Sequence, residues 1–311
     1  MKIAVTGGAG FIGSHIVDAY CALGHEVVVL DNLSTGFRHN VHPSARFIEC
    51  DICSHEIHDL FASEKFDIVN HHAAQIDVRV SVSNPLHDVS VNVLGTVNLL
   101  TAATTNHVGQ FIFASSGGTV YGEQTVFPCD ESQLTSPLSP YGVSKLSVEY
   151  YLRAFQETHG LRYVALRYAN IFGPRQNPNG EAGVIAIFLR KLLLCEPTVI
   201  NGDGLQTRDY VYIRDAVAAN IQVLNAPQSG IYNISSGVEV SVVDIHTLLC
   251  KELGLDDAPD HTAAKHGEPR RVCLDATHIL NDYEWSARTP FDEGVRETIA
   301  WFKTQYGTVG G

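Results

Sequence analysis

Apolar residues in the first half of the chain follow two alternating patterns, short continuous runs and longer stretches of helical period. The runs are Lys2-Ile-Ala-Val-Thr6, Glu26-Val-Val-Val-Leu-Asp31, Arg46-Phe-Ile-Glu-Cys50, Asp67-Ile-Val-Asn-His71, Gln110-Phe-Ile-Phe-Ala114 and Arg162-Tyr-Val-Ala-Leu-Arg167. Their length and continuity suit strands buried on both faces. Between the first two, Phe11 to Leu23 carries apolar positions at helical spacing, and further helices are expected near 85–106 and 141–159. Strand and helix in strict alternation predict an α/β fold with a doubly wound parallel sheet. Past Pro174 the alternation is lost. Asn177 to Gly183 reads as a loop leading into a helix near 184–194, where a smaller C-terminal α/β lobe begins. The expected division is therefore 1–176 and 177–311, with no internal repeat, no low-complexity segment, and a frayed tail only at Thr308 to Gly311.

Composition narrows the possibilities. With 311 residues, 45% of them hydrophobic, the chain can bury a full core. A net charge of −13 argues against a nucleic-acid partner and against an anionic membrane surface. The cations are uneven: 6 of the 21 Lys and Arg lie in residues 1–150 and 15 in the rest, so the second half is the expected lobe for a diphosphate. No apolar run is long enough to span a bilayer. The apolar start of the chain is broken by glycines that a turn requires, so it reads as strand and turn, and the expected location is the cytoplasm. Seven scattered cysteines, an odd number, suit a reducing compartment. Cys50-Asp-Ile-Cys53 lacks a second pair, and none of the fifteen histidines forms a His-Glu-x-x-His group, so no metal is expected and the histidines read as structural or solvated.

Two motifs carry chemistry. Gly7-Gly-Ala-Gly-Phe-Ile-Gly13 lies between the first strand and the first helix. Gly7, Gly10 and Gly13 there permit a tight turn, close backbone approach to a pyrophosphate, and close helix-on-strand packing, with the helix N-terminus facing the negative charge. Asp31 ends the second strand, where a carboxylate binds an adenosine ribose and repels a 2′-phosphate, which favours NAD over NADP. The second motif is Tyr141-Gly-Val-Ser-Lys145, whose spacing puts both side chains on one helix face. A tyrosine is a poor base near neutrality, its ordinary pKa being about 10. An ammonium held roughly 5 Å away favours the phenolate by about 3 kcal/mol at an effective dielectric near 20. Such a phenolate can take a proton from an alcohol while hydride leaves the same carbon for a nicotinamide ring. Strand ends on the carboxyl edge of the sheet line the crevice of such folds, so Asp31, Asn32, Asp51, Ile52, Ala73, Ala74 and Asn92 are the further candidates to contact the cofactor, beside Phe11 and Ile12 of the glycine turn.

The chain resembles the extended short-chain dehydrogenase/reductases, and within them the nucleotide-sugar epimerases and dehydratases. The resemblance runs almost end to end. It rests on Thr6 to Gly13, Asp51-Ile52, His71-His-Ala-Ala74, Asn92-Val-Leu-Gly-Thr96, Ser115-Ser-Gly-Gly-Thr-Val-Tyr-Gly122, Arg167-Tyr-Ala-Asn-Ile-Phe-Gly-Pro174, Arg208-Asp-Tyr-Val-Tyr-Ile-Arg-Asp215 and Thr289-Pro-Phe-Asp-Glu-Gly-Val295. It implies a Rossmann sheet, with the segment near 209–235 crossing back onto the first lobe. It also implies bound NAD, a UDP-sugar substrate, a homodimer formed through the helices near 92–106 and 141–159, and a 4-epimerase. In that reaction Tyr141 takes the O4 proton, C4 is oxidised, and the 4-keto sugar rotates and is reduced on its other face.

Residue by residue, the resemblance gives Lys145 a second role on the nicotinamide ribose. It places Asn170 and Arg208 on the substrate diphosphate, and makes Lys265 and Glu268, from Lys265-His-Gly-Glu268 where the family has Arg-x-Gly-Asp/Glu, further substrate-binding residues, the lysine keeping the charge without the arginine fork. Val184 to Phe188 and Thr198 to Ile200 are expected to wall the uracil end. The family's usual proton-relaying Ser or Thr is replaced by Gly117, so Ser116 or Thr119 is expected to supply the hydroxyl, or Tyr141 to reach the sugar unaided. Dehydratases carry an Asp-Glu pair where this chain has Gly118-Thr119, which disfavours dehydration. Three alternatives stay open at this point: epimerisation of a UDP-N-acetylglucosamine or UDP-glucuronate, a dehydratase or decarboxylase, and a non-catalytic NAD-binding protein marked by Gly117.

Overall fold

The computed structural model describes residues 1–179, 183–263 and 269–307. The apolar runs form strands β1 (Lys2–Thr6), β2 (Glu26–Asp31), β3 (Arg46–Glu49), β4 (Ile68–His71), β5 (Gln110–Ser116) and β6 (Arg162–Tyr168). They are followed by β7 (Asn170–Phe172), β8 (Val199–Asn201), β9 (Thr207–Tyr212), β10 (Gly230–Ile234), β11 (Glu239–Ser241) and β12 (Asp260–Thr262). A seven-stranded sheet runs in the order β10-β6-β5-β4-β1-β2-β3, every neighbouring pair parallel. Side chains alternate across it as strand geometry requires. Ile3, Val5 and Val29 face Ile16, Val17 and Tyr20 of the helix Phe11–Ala22 on one side. Ala4, Val28, Val69, Phe111 and Phe113 face Ile57, Phe61, Leu99, Val148 and Leu152 on the other. Burial on both faces explains why the runs are continuously apolar rather than alternating.

Thr6 pairs with Leu30 of β2 on one side and His71 of β4 on the other, so the order of connection reverses beside β1 and a crevice opens past its carboxyl end. The helix Pro140–His159 starts where Ser139 Oγ accepts the Gly142 N–H at 3.2 Å, has Pro140 in its first turn, and stops at Gly160 in the left-handed region. The single helix expected near 85–106 is in fact interrupted: Pro85–Val89 and Thr96–Thr105 are α-helical, and Ser90–Gly95 is a π-turn. At Gly95 this segment lies against the loop after β3, so tightly that an added Cβ would stand 2.8 Å from Ile52 Cδ1. A π-turn lets one residue bulge and the helix axis shift toward that loop.

Beyond β7 the chain builds a three-stranded sheet β11-β9-β7 and the pair β12-β8, packed with helices Val184–Leu193, Val242–Leu253 and Phe291–Tyr306. Between them β10 returns to pair with β6. The helix Ile213–Gln222 lies against Phe11–Ala22, where Tyr20 donates to the Asn220 carbonyl at 3.3 Å. Among the described residues no helix is long and apolar enough to cross a membrane.

Candidate active site

The glycine turn is built by contact. Gly7 has φ +67°, and a Cβ there would come within 2.6 Å of Ala73 N; one at Gly13 would come within 2.2 Å of the Gly7 carbonyl. These positions exclude any other residue, and they hold the turn against β4 and the helix start against the turn. Asp31 ties the arrangement together: its Oδ2 accepts the Ala9 N–H at 3.0 Å and its Oδ1 that of Leu33 at 2.8 Å. Asp51 accepts the Cys53 N–H at 2.8 Å and the Asn32 amide at 3.2 Å, and that backbone bond is the main reason its carboxyl is held below the usual range. Burial pushes both flanking thiols, Cys50 and Cys53, up to about 11. A cavity of about 320 Å³ runs past these groups, lined by Gly7, Gly10, Phe11, Ile12, Gly13, Asp31, Asn32, Asp51, Ile52, Ala73 and Ala74, and reaches Ser116, Tyr141 and Lys145 at its far end.

Asn92 departs from the expectation. It is buried and does not line this cavity, where Val91 takes its place. Its side chain clamps the backbone of Gln75, accepting its N–H and donating to its carbonyl, both at 2.9 Å, and also donates to Asp88 at 2.9 Å. Asn92 therefore fixes the loop that follows Ala73-Ala74 rather than facing the crevice. Asn92 lies within the π-turn Ser90–Gly95.

Lys145 is buried, and its ammonium donates to the Ala114 carbonyl at 2.8 Å. It stands 5.7 Å from the centre of the Tyr141 ring and 4.9 Å from that of Phe113. Desolvation brings its pKa down to about 8, against the pull of Asp88 and Glu149. Behind it lies a polar cluster that the sequence analysis missed. Arg167 pairs with Glu149 at 2.6 and 3.0 Å, Ser115 donates to Glu149 at 2.6 Å, and Arg167 donates to the Tyr121 hydroxyl at 2.8 Å. One signal was available, since Glu149 follows Lys145 by four residues and so shares the face of Tyr141 and Lys145.

A second cavity, of about 680 Å³, meets the first at Ser116, Tyr168, Ala169, Ile171 and Gln176. Asn170, at the start of β7, and Arg208, on β9, line it. Its apolar end is walled by Val184, Ile185, Ile187, Phe188, Val199 and Ile200, while Thr198 is turned away from it. Gly118 and Thr119 also line it, and neither can act as an acid or a base. Gln176 at the junction went unnoticed in the sequence, because nothing local distinguishes it from other loop glutamines. Lys265 and Glu268 lie outside the described residues.

Gly117 has a packing reason. A Cβ on it would stand 2.3 Å from Leu274 Cδ1 and 3.2 Å from the Arg167 carbonyl, so the space of the missing hydroxyl is filled by Leu274, which is fully buried.

A parallel sheet with a glycine turn at its switch point, an acid closing the second strand, and a Tyr-x-x-x-Lys helix beside the crevice define a nicotinamide-dinucleotide enzyme of the short-chain dehydrogenase/reductase type. The chain belongs to the NAD dependent epimerase/dehydratase family, whose model matches residues 3–235. It is 41% identical over 306 residues to a putative UDP-glucose 4-epimerase of Methanocaldococcus jannaschii, covering 98% of this chain and 100% of the relative. The solved UDP-glucose 4-epimerase of Thermotoga maritima with UDP-glucose superimposes with a TM-score of 0.97 at 40% identity, over 98% of this chain and 99% of that one. That of Thermus thermophilus in complex with NAD does so with a TM-score of 0.92 at 38% identity, over 97% and 99%.

Proposed function

We propose that this chain is an NAD-dependent 4-epimerase of UDP-hexoses, of the UDP-glucose/UDP-galactose type. The observation that carries the reading is the place of Tyr141 and Lys145, at the end of the dinucleotide crevice where Ser116 and Gln176 join it to a second, larger cavity. The residues present fit NAD. Gly10, where an added Cβ would meet only the Gly7 carbonyl, at 3.2 Å, leaves no side chain between the turn and a pyrophosphate, Asp31 and Asn32 would hold the adenosine ribose, and Asp51 and Ile52 would flank the adenine. Ala73 and Ala74 would give clearance, and Lys145 would hold the nicotinamide ribose. Bound NAD supplies a hydride acceptor and donor at the sugar C4.

The chain's own groups do the rest. The Lys145 charge stabilises the Tyr141 phenolate, which takes the O4 proton and later returns it. Ser116, present on both cavity walls, is the hydroxyl that stands in for the one absent at Gly117. Asn170 and the Arg208 guanidinium hold the diphosphate, and the width of the second cavity lets a 4-keto sugar turn over. Lys265 and Glu268 keep the substrate role that the resemblance gives them. Gly118 and Thr119 leave no acid–base pair to expel water, which favours epimerisation over dehydration. Exposed Leu86, Val89, Leu94, Val143, Tyr150 and Tyr151 on the segments 85–105 and 140–159 support a homodimer through that face. Seven unpaired cysteines support a cytoplasmic location.

The test incubates the purified protein, without added cofactor, with UDP-glucose, UDP-galactose and their N-acetyl and uronic counterparts, following the sugars by proton NMR. A C4-epimer mixture approached from both directions is expected. No turnover of any of them after NAD is supplied, or a product lighter by water or carbon dioxide, would overturn the reading.

A further inference from the structure

A buried set of metal-ligating side chains lies outside both cavities. His246 and Cys250 are one turn apart on the helix Val242–Leu253, and the chain turns back through Gly254, in the left-handed region at φ +69°, to bring Asp257 beside them. The ligating atoms of the three residues all lie within 4.8 Å of one another. His246 Nε2 stands 3.0 Å from Asp257 Oδ2 and 3.8 Å from Cys250 Sγ. Bonds of about 2.0–2.3 Å in a tetrahedral zinc site place ligand atoms roughly 3.3–3.6 Å apart. The sulfur, 3.7 and 3.8 Å from the two ring nitrogens, lies just outside that spacing, and the His246–Asp257 separation of 3.0 Å lies just inside it.

The chemistry balances as well. A thiolate and a carboxylate neutralise a dication, the imidazole adds a neutral donor, and thiolate with imidazole selects zinc-like ions over magnesium or calcium. Thr198 Oγ1, 3.0 Å from His246 Nε2 and 2.6 Å from Asp257 Oδ2, closes the fourth side, so that position falls to its hydroxyl or to a water. His246 and Cys250 are almost wholly buried, while the Asp257 side chain is 30% exposed and gives the way in.

We propose that His246, Cys250 and Asp257 form a structural site for a divalent transition-metal ion of the zinc type, which braces the apolar end of the second cavity. Two contacts link the site to that end. Thr198 leads directly into Val199 and Ile200, and Phe188 packs edge-on against the His246 ring at 5.4 Å.

The test titrates Co²⁺ into the full chain after chelator treatment. One equivalent per chain is expected to raise a near-ultraviolet thiolate-to-cobalt absorption, and Zn²⁺ to abolish it and raise the thermal midpoint. Cys250→Ser and Asp257→Asn should lose the band by at least tenfold in affinity, whereas Cys53→Ser and Cys195→Ser, at the exposed cysteines, retain it. Circular dichroism checks that each variant is folded; should Cys250→Ser fail to fold, Asp257→Asn carries the comparison. Absence of the band at stoichiometric Co²⁺, or its survival in both Cys250→Ser and Asp257→Asn, would refute the site.

Discussion

Replacing Gly117 by serine, the residue type usual in the related enzymes, isolates why this chain lacks a hydroxyl there. The added Cβ would stand 2.3 Å from Leu274 Cδ1, inside any tolerable contact, and 3.2 Å from the Arg167 carbonyl. Leu274 cannot swing into solvent, being fully buried, and its backbone is pinned by bonds from its N–H to Asp209 at 3.3 Å and from Ser235 Oγ to its carbonyl at 2.9 Å. Overpacking of this kind costs about 1–3 kcal/mol. Gly117 opens the short helix Gly117–Val120, so serine recovers about 0.5 kcal/mol of helix propensity, leaving a net loss of roughly 0.5–2.5 kcal/mol. Leu274→Ala alone leaves a cavity and costs about 2–5 kcal/mol. In the double variant the serine enters the vacated space, so the two losses should fall short of their sum by at least about 1 kcal/mol. Urea unfolding of the four proteins, followed by tryptophan fluorescence, gives the coupling term. Additivity to within about 0.5 kcal/mol would refute the claim that Leu274 occupies the missing hydroxyl's space.

Three further outcomes are expected from the same structure. Tyr141→Phe should lower kcat by about 10²–10⁴ while NAD released on denaturation stays at the wild-type amount, and retained turnover would dismiss Tyr141 as the base. Lys145 is protonated with a pKa of about 8 in the fold against 10.5 unfolded, so between those values the unfolded chain holds more protons and stability rises with pH. The cofactor-free protein should therefore gain up to about 3 kcal/mol over Lys145→Met between pH 8 and 10.5, read by denaturant unfolding; a flat or falling difference would contradict this. Glu149→Ala strands the buried Arg167 guanidinium and should cost about 3–5 kcal/mol, part of it recovered by Arg167→Met in the same chain, whereas a loss under about 1 kcal/mol would show the pair to be dispensable.

Much of the site was legible because its pieces are local. Gly7, Gly10, Gly13 and Asp31 sit within one strand-helix-strand unit, and Tyr141 and Lys145 within one helical turn, so spacing alone specifies their geometry. Asp51, Ile52, Ala73 and Ala74 line the crevice because each comes within three residues of a strand end, and parallel strands deliver their carboxyl ends to one edge. Asn92, grouped with the strand ends, comes instead from a helical segment, and its amide is taken up by the Gln75 backbone, a partner that only the packed chain brings to it. Glu149 and Arg167 each had a readable neighbour, but their pairing depends on how the helix Pro140–His159 packs against β6.

The sequence by itself determined the alternation of strand and helix, the parallel sheet, the dinucleotide turn, its preference for NAD, and the Tyr141/Lys145 pair, since each depends on short-range backbone geometry or on periodic burial. Only the tertiary structure decided that Leu274 fills the space beside Gly117, that Asn92 holds Gln75, that Gln176 stands where the two cavities meet, and that Asp257 and Thr198 join His246 and Cys250. Each of these brings together residues from separate elements, and side-chain volume and hydrogen-bond reach act only after the chain has packed.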